Sequence, residues 1–286
     1  MKPAARRAAE VEDALLQKIE RTAFELAAAA GTEIGAALTR TLAVRYKTAA
    51  TDVHRARDPV SDVDLQVEQA MRTEIGLRFP DHATLGEEAG AEEGRDAAFV
   101  WVIDPVDGTT NFVHAFPLFA CSVGVLYRGF PVAGAVWCST SHELRPGVFH
   151  ARRGGELLFE NRALRVRPPS EHVISRLLGV PGRFESKLEF DRRSTGSAAI
   201  ECAFAAAGIL SSAVLRRPHV WDVAGGVALA LSARREVWEQ DGGGWRSFEG
   251  FADGEAPTAE ALRAWRGSLL LGTPAMLEGL RGSTLE

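Results

Sequence analysis

Residues Trp101–Phe112 read W-V-I-D-P-V-D-G-T-T-N-F and are the most informative stretch of the sequence. The apolar run over 98–103, which leads into this stretch, is rich in β-branched and aromatic residues and predicts a buried strand that stops at Asp104-Pro105. Asp107 follows three residues after Asp104, and Gly108 stands where a helix could begin. Carboxylates bind hard divalent cations, and N–H groups at a helix start bind phosphate. The stretch therefore predicts a site that holds phosphate against a metal ion, or else a turn in which an aspartate caps a helix.

Two helices and a loop are predicted on the N-terminal side of this stretch. Apolar residues recur at helical spacing over 11–30, and Gly31 offers a stop. A second helix is predicted over Asp62–Arg78, because its apolar residues share one face and Pro80 lies beyond its end. The polar segment Tyr46–Val60 is typical of a loop.

The C-terminal side predicts strands first and then two helices. Short turns separate three strand-like runs, which favours antiparallel pairing of Cys121–Tyr127, Val132–Cys138 and Val148–Ala151. The uncharged, alanine-rich run Cys202–Leu215 predicts a buried helix, and Asp222–Arg234 predicts another. This order predicts an α+β chain in two packed halves, residues 1–165 and 166–286, which meet in one compact unit.

Composition excludes several classes of protein. Of 286 residues, 46% are hydrophobic and 25% are charged, which is typical of a globular chain rather than a disordered one. The net charge of −5 argues against a general nucleic-acid or anionic-membrane binder. Three cysteines far apart in the chain favour buried thiols in a reducing compartment over disulfides or a zinc site. No run is apolar enough to span a bilayer, so we expect a cytoplasmic protein.

Three further acidic segments each allow an ordinary structural interpretation. Glu87 and Glu88 stand between glycines and could form an exposed acidic turn. Asp222 follows Trp221 at the start of a predicted helix and could be its cap. Asp64, three residues after Ser61, fits a capping box. The combination and order of these segments are more specific than any one of them.

The sequence resembles the inositol monophosphatase family, the magnesium-dependent, lithium-sensitive sugar phosphatases, from about Val60 to Met276. The stretch Trp101–His114 matches the family's central motif, and Trp221-Asp222-Val-Ala-Gly225 matches its second motif. The Glu87 and Asp64 segments and Gly196-Ser197-Ala198-Ala199 come in the expected order. The resemblance implies a layered α/β/α/β/α sandwich, hydrolysis of a small phosphate monoester, and a homodimer.

The resemblance also implies a role for each residue of the site. Two magnesium ions, with a third and weaker one near Glu87, would be held by Glu87, Asp104, the carbonyl of Val106, Asp107 and Asp222. Gly108 and Thr109 would donate N–H groups to the phosphate, the Thr109 hydroxyl and Asp64 would orient the attacking water, and Glu88 would lie next to the ligands. The N-terminal half thus carries most metal ligands, and the C-terminal half carries Asp222 and the residues that read the substrate. An all-oxygen ligand set selects magnesium over zinc, and two metal ions suit in-line attack on a phosphate monoester.

The sequence departs from the family pattern where the substrate is read. Members that favour inositol carry a glutamate seven residues before Asp222, but this chain has Leu215 there. Arg216 and Arg217 follow, and they either read a second anionic group or are two solvated surface charges. The residues predicted to read the substrate are Ser197, Ala198, Leu215, Arg216 and Arg217. Lys47 is the candidate for the lysine on the family's metal loop, and His114, His142 and His219 are interpreted as structural.

Alternatives of different classes follow from these patterns. Inositol 1-phosphate is the default substrate, and histidinol phosphate, fructose 1,6-bisphosphate and 3′-phosphoadenosine 5′-phosphate are the alternatives. A non-catalytic regulator that binds metal and phosphate on the same fold would lack part of the hydrolytic set, but this chain retains Glu87, Asp104, Asp107, Asp222, Thr109 and Asp64. A calcium-binding protein would need its ligands along one loop.

Overall fold

The stretch Trp101–Phe112 begins in the second strand of a seven-stranded sheet in the computed structural model. The structure describes residues 11–39, 44–46, 59–89, 97–165, 176–182, 184–242, 244–252 and 257–285. In spatial order the strands are β3 (Ala83–Gly86), β4 (Phe99–Asp107), β5 (Ala120–Tyr127), β6 (Phe130–Cys138), β7 (Gly147–Arg152), β8 (Leu158–Phe159) and β9 (Arg162–Ala163). Strand β3 is parallel to β4, and all later neighbours are antiparallel, which confirms the predicted antiparallel strands.

Two helices cover one face of this sheet. They are α1 (Asp13–Ala37) and α2 (Asp62–Arg78), and α2 has the predicted bounds. The prediction that Gly31 ends the first helix was wrong. The indole of Trp137 lies against Gly31, so that a Cβ there would overlap the ring, and the helix continues beneath it. Glycine is therefore required at this position by a contact with a distant strand.

A short pair of strands precedes α2. They are β1 (Val44–Tyr46) and β2 (Pro59–Ser61), which run antiparallel. The predicted loop Tyr46–Val60 thus has strand residues at both ends, and its remaining part lies outside the described residues, as does Lys47.

The other face of the sheet packs against a central helix layer. Its main helices are α4 (Ala198–Ala207) and α5 (Val220–Ser232), while the short α3 (Thr109–Val113) follows β4. Gly226 of α5 lies against Cys202 of α4, and neither a Cβ nor a larger side chain would fit between them. The predicted buried helix over Cys202–Leu215 was wrong in its second half. Helix α4 ends at Gly208, which has φ +80°, and β13 (Ser212–Leu215) follows.

A six-stranded sheet lies beyond the central helices. Its spatial order is β12 (Asp191–Arg193), β10 (Leu177–Gly179), β13, β16 (Leu269–Gly272), β14 (Glu236–Asp241) and β15 (Gly244–Ser247). Strands β11 (Phe184–Glu185) and β17 (Thr284–Leu285) form a separate pair, and the remaining helices are α6 (Ala259–Ala264) and α7 (Pro274–Leu280). Leu277 and Leu280 of α7 join a buried apolar cluster with Leu270 of β16.

The layers confirm the predicted α/β/α/β/α sandwich. One apolar core lies between α1, α2 and the seven-stranded sheet, and a second lies among that sheet, the central helices and the six-stranded sheet. All three cysteines are buried and unpaired, as predicted. Among the described residues, no helix combines the length and the apolar character that crossing a bilayer requires.

Candidate metal and phosphate site

A bulge at the end of β4 positions the first two carboxylates. Asp104 pairs with Ser122 of β5, and Asp107 pairs with Ala120, so β4 has one extra residue over this interval. The prediction that the strand stops at Asp104-Pro105 was therefore wrong. An irregularity in the ladder accommodates a proline without its N–H, and the strand continues to Asp107. Both aspartates are buried at this end of the sheet.

Asp222 joins these two residues from the central helix layer. One carboxylate oxygen each of Asp104, Asp107 and Asp222 lies within 4.8 Å of the others. The Oδ2 atom of Asp222 accepts the backbone N–H of His219 at 2.7 Å, in a capping box at the start of α5. The capping role and membership of the acidic cluster are thus compatible in one residue.

Asp64 has the same double character at the start of α2. Its Oδ2 atom accepts the backbone N–H of Ser61 at 2.8 Å and a short hydrogen bond from the Ser61 hydroxyl, so the predicted capping box is present. Its Oδ1 atom is buried without a hydrogen-bond partner among the described residues, and so is Oδ1 of Asp104. A buried carboxylate oxygen without a partner costs free energy unless a cation or a water satisfies it.

The carboxylates raise one another's proton affinity. Burial is the largest cause that raises the pKa of Asp104 well above its usual range, and the charges of Glu87 and Asp107 raise it further. Burial also raises the pKa of Asp64 to about 6 and that of Asp107 to about 6, and Glu87 contributes to both. The pKa of Asp222 is raised as well, by burial and by Asp107. A divalent cation would remove this repulsion, and the all-oxygen donor set fits magnesium.

Glu87 and Glu88 follow β3, beside the end of β4. The backbone N–H of Glu87 donates to the carbonyl of Ile103 at 3.2 Å, and the charge of Glu87 acts on all four aspartates of the site. Its carboxylate is not among the three oxygens of the tight cluster.

The sequence analysis missed Glu68, which supports this turn. Glu68 is buried on α2, and it accepts the backbone N–H groups of Glu88 at 2.8 Å and of Ala89 at 3.0 Å. Arg72, one helical turn later, forms an ion pair with Glu68 at 2.8 Å. The spacing of Glu68 and Arg72 was the available signal, but it does not reveal the contact with the distant turn.

Gly108 and Thr109 stand beside the carboxylates. Gly108 has φ +85°, and a Cβ there would lie 3.1 Å from the carbonyl oxygen of Gly196 and 3.2 Å from that of Leu118. Both the backbone conformation and the space therefore require glycine. The Thr109 hydroxyl donates to the carbonyl of Val106 at 2.8 Å, which leaves its oxygen able to accept a hydrogen bond from a neighbour.

Ser197 and Ala199 connect the cluster to the C-terminal half. The Oδ2 atom of Asp107 accepts the backbone N–H of Ala199 at 2.8 Å and a short hydrogen bond from the Ser197 hydroxyl. Ser197 also caps α4 by accepting the N–H of Ile200 at 3.2 Å. The Ser197 hydroxyl, predicted to read the substrate, therefore contacts a carboxylate of the acidic cluster.

A cleft of about 310 Å³ opens at Asp107 and Asp222. Its lining includes four of the five residues predicted to read the substrate: Ser197, Ala198, Leu215 and Arg216. Arg217 is exposed and is not among the lining residues. The cleft also contains Glu201, which the sequence analysis missed. It is buried and accepts the N–H and the hydroxyl of Thr195, and burial raises its pKa to about 7.

Comparison with known proteins identifies the family. The model of the inositol monophosphatase family matches residues 15–247. The chain is 34% identical over 200 residues to an inositol-1-monophosphatase of Mesorhizobium japonicum, across 65% of this chain and 74% of that protein. It is 33% identical over 210 residues to the chloroplastic phosphatase IMPL1 of Arabidopsis thaliana, across 67% of this chain and 56% of that longer protein.

A solved structure shares the fold. It is an IMPase/NADP phosphatase complexed with Mg²⁺ and phosphate, with a TM-score of 0.70 and 18% identity over 92% of this chain and 94% of that one. The family match covers most of the chain, and the predicted resemblance is confirmed. The chain therefore belongs to the inositol monophosphatase family of phosphoric monoester hydrolases.

Proposed function

We propose that this chain hydrolyses a small phosphate monoester in a magnesium-dependent reaction at the Asp104, Asp107 and Asp222 cluster. The observation that carries the proposal is the convergence of these three carboxylate oxygens within 4.8 Å of one another. The buried Oδ1 atom of Asp104, which has no hydrogen-bond partner among the described residues, supports it. The likeness in fold to a phosphatase whose structure contains Mg²⁺ and phosphate is consistent with this assignment.

Five groups would hold the metal ions, two or three in number: the side chains of Glu87, Asp104, Asp107 and Asp222, and the carbonyl of Val106. When bound, magnesium supplies Lewis acidity, which lowers the pKa of water and neutralises charge on the phosphate and the leaving group. In the proposed mechanism, residues of the chain orient the attacking water and bind the phosphate.

Asp64 and Thr109 orient the attacking water. The buried Oδ1 atom of Asp64 can accept a hydrogen bond from that water, since it has no other partner among the described residues and Oδ2 already accepts from Ser61. The Thr109 hydroxyl donates to the Val106 carbonyl, and its oxygen can accept a second hydrogen bond from the water. Gly108 and Thr109 donate backbone N–H groups to the phosphate, and the left-handed turn at Gly108 leaves no side chain in the way.

Inositol 1-phosphate is the default substrate, and Leu215 is the observation against it. Leu215 lines the cleft and offers no hydrogen-bond acceptor to a sugar hydroxyl. Histidinol phosphate, fructose 1,6-bisphosphate and 3′-phosphoadenosine 5′-phosphate are the alternative substrates. We also propose a homodimer, for which the measured mass in solution would be twice 30.8 kDa. The three buried, unpaired cysteines support a reducing compartment such as the cytoplasm.

The test is phosphate release from these four compounds with magnesium and then with EDTA. We expect release that requires magnesium, and the fastest compound identifies the substrate class. Loss of release in EDTA must be reversed by added magnesium, which controls for unfolding. If folded protein binds magnesium and releases phosphate from none of the four, the hydrolytic proposal fails and a regulator that binds metal and phosphate takes its place.

A further inference from the structure

Two arginines contact the aromatic ring next to Asp222. The guanidinium carbon of Arg263 lies 5.5 Å from the ring centroid of Trp221, and that of Arg266 lies 6.0 Å from it. The ring of His219 stacks on the same indole at 4.3 Å. Trp221 is only 4% exposed and lies at the start of α5. Both cations thus lie against the same ring, and Arg266 is close enough to Asp222 for the two charges to interact.

Two more arginines reach the same region from the end of β13. Leu215 pairs with Leu269 of β16, so the residues after β13 lie beside those before β16. The backbone N–H of Arg217 donates to the Ser268 hydroxyl at 3.2 Å, which joins the two loops. The backbone of Arg217 has φ +47°, in the left-handed region that residues other than glycine rarely adopt. Arg216, next to it, lines the cleft.

Among the described residues, none of these four arginines forms a salt bridge, although the charge of Asp222 acts on Arg266. Other arginines do: Arg72 pairs with Glu68 and Arg152 pairs with Asp13 and Glu20. Arg266 uses only its Nη1 atom, which donates to the carbonyls of Arg263 and Trp265. Its Nε and Nη2 groups have no hydrogen-bond partner among the described residues, which leaves donors for another ligand.

The charges around Arg266 favour an anionic ligand. Burial lowers the pKa of Arg266, Asp222 raises it, and the like charges of Arg217 and Arg263 lower it. These charges therefore lie close enough to act on one another and on the site. A cation bound at Asp222 would offset the attraction between Asp222 and Arg266, and a ligand with negative charge would then relieve the repulsion among the arginines.

We propose that Arg217, Arg263 and Arg266, with Arg216 at the cleft wall, bind a second phosphate of the substrate. Guanidinium groups bind phosphate oxygens in bidentate hydrogen bonds, and several of them suit a dianion. The inference rests on the proposed function and names its substrate class: a phosphate monoester that carries another phosphate, preferred over one that carries only hydroxyls. It agrees with Leu215, which provides no partner for a hydroxyl.

The test compares substrates that differ only in the second phosphate. Adenosine 3′-phosphate and 3′-phosphoadenosine 5′-phosphate form one pair, and fructose 1-phosphate and fructose 1,6-bisphosphate form the other. We expect the bisphosphate of at least one pair to have a kcat/KM at least about tenfold higher than its monophosphate. This is the fold-change that one charge-assisted hydrogen bond produces. The preference must shrink as salt is added, because it depends on charge.

Variants assign the effect to the arginines. Arg263→Gln and Arg266→Gln should each raise KM for the bisphosphate about tenfold, and should change KM for the monophosphate less than twofold. Arg266→Lys should recover part of the loss. Arg21→Gln, exposed on α1, is the matched control and should change neither. Turnover of the monophosphate shows that each variant is folded.

Two outcomes overturn the inference, and they are distinguishable. If monophosphates and bisphosphates are hydrolysed equally, or if the variants lose both equally, the second phosphate site is refuted while the proposed phosphatase function stands. If magnesium supports hydrolysis of none of the compounds, the proposed function fails and the inference fails with it.

Discussion

The carboxylate of Asp107 is fixed by the backbone of Ala199: its Oδ2 atom accepts that N–H at 2.8 Å. This hydrogen bond connects the end of β4 in the seven-stranded sheet to the start of α4 in the central helix layer. The hydroxyl of Ser197 donates to the same oxygen. One oxygen of the carboxylate is therefore positioned by the protein before any cation binds, and such support raises both metal affinity and precision of the site.

Ser197→Ala should weaken metal binding without unfolding the protein. It removes one of the two hydrogen bonds that orient Asp107, and changes of this kind cost about 10- to 100-fold in metal affinity. We expect the magnesium concentration for half-maximal activity to rise about tenfold. Ser247→Ala, on exposed β15, is the control. An unchanged magnesium requirement would mean that the Ser197 hydroxyl does not support the site.

Asp222→Asn should raise the melting temperature of the protein without magnesium. The variant keeps an oxygen to accept the His219 N–H but removes one of several carboxylates that repel one another. Added magnesium should raise the melting temperature of the wild type by several degrees and that of the variant much less. Asp191→Asn, exposed on β12, should behave as the wild type. Equal magnesium stabilisation of Asp222→Asn and wild type would exclude Asp222 as a ligand.

Glu68→Ala should destabilise the fold and reduce activity together. The substitution removes the ion pair between Glu68 and Arg72 and the hydrogen bonds that Glu68 accepts from the N–H groups of Glu88 and Ala89. We expect a loss of about 3 kcal/mol in urea unfolding, the usual size for breaking a buried ion pair. Glu68→Gln should lose less, and Gln69→Ala on the exposed face should lose almost nothing. Stability of Glu68→Ala equal to that of Gln69→Ala would contradict this role.

His82 should make the fold sensitive to mild acid. Its ring stacks on Phe79 and Phe99 and its Nδ1 accepts the indole N–H of Trp101, and burial lowers the pKa of the ring from 6.5 to about 4. Between these values the unfolded chain binds a proton that the folded chain does not. The contribution of the neutral His82 to the free energy of unfolding is therefore fully present above pH 6.5 and is lost as the pH falls toward 4.

The measurement for His82 is urea unfolding of the wild type and His82→Gln at pH 7.5, 6, 5 and 4. As the pH falls, the free energy of unfolding of the wild type should decrease more than that of His82→Gln. His114→Gln, at an exposed histidine, should follow the wild type. A pH-independent difference between wild type and His82→Gln would contradict the account.

Leu215→Glu should shift substrate preference toward inositol 1-phosphate. Leu215 is 3% exposed and lines the cleft, so an acceptor there would face sugar hydroxyls. The ratio of kcat/KM for inositol 1-phosphate to that for a bisphosphate should rise about tenfold. Leu215→Gln, which adds an acceptor without a charge, separates hydrogen bonding from charge repulsion. An unchanged substrate ranking in both variants would mean that this position does not read the sugar.

Local sequence signals predicted much of this structure because their causes lie within a few residues. The capping box at Ser61 and Asp64 and the bounds of α2 depend on neighbouring residues only. The end of α1 could not be predicted from Gly31, because the reason lies on Trp137 in a distant strand. The apolar run to Leu215 has the composition of a buried helix and of a buried strand alike, and only its place in the six-stranded sheet decides between them.

In the site, too, residues close together in the sequence could be predicted, and those that act on distant segments could not. The motif around Asp104 predicted two of the three residues of the acidic cluster, because Asp104 and Asp107 are close in sequence and lie at one bulge. Glu68 and Arg266 were missed because each acts on a segment far away in the chain. Such residues carry no local pattern that separates them from the ion pairs and surface charges of any helix or loop.

The most direct test of the central claim is phosphate release by the wild type and Asp104→Asn, side by side, over a magnesium titration on the fastest substrate. Asp104 is the buried carboxylate that the other acidic residues of the site surround. We expect magnesium-dependent release by the wild type and release at the background level by the variant at every magnesium concentration, with both proteins folded. Turnover by Asp104→Asn near that of the wild type would contradict the assignment of the metal site.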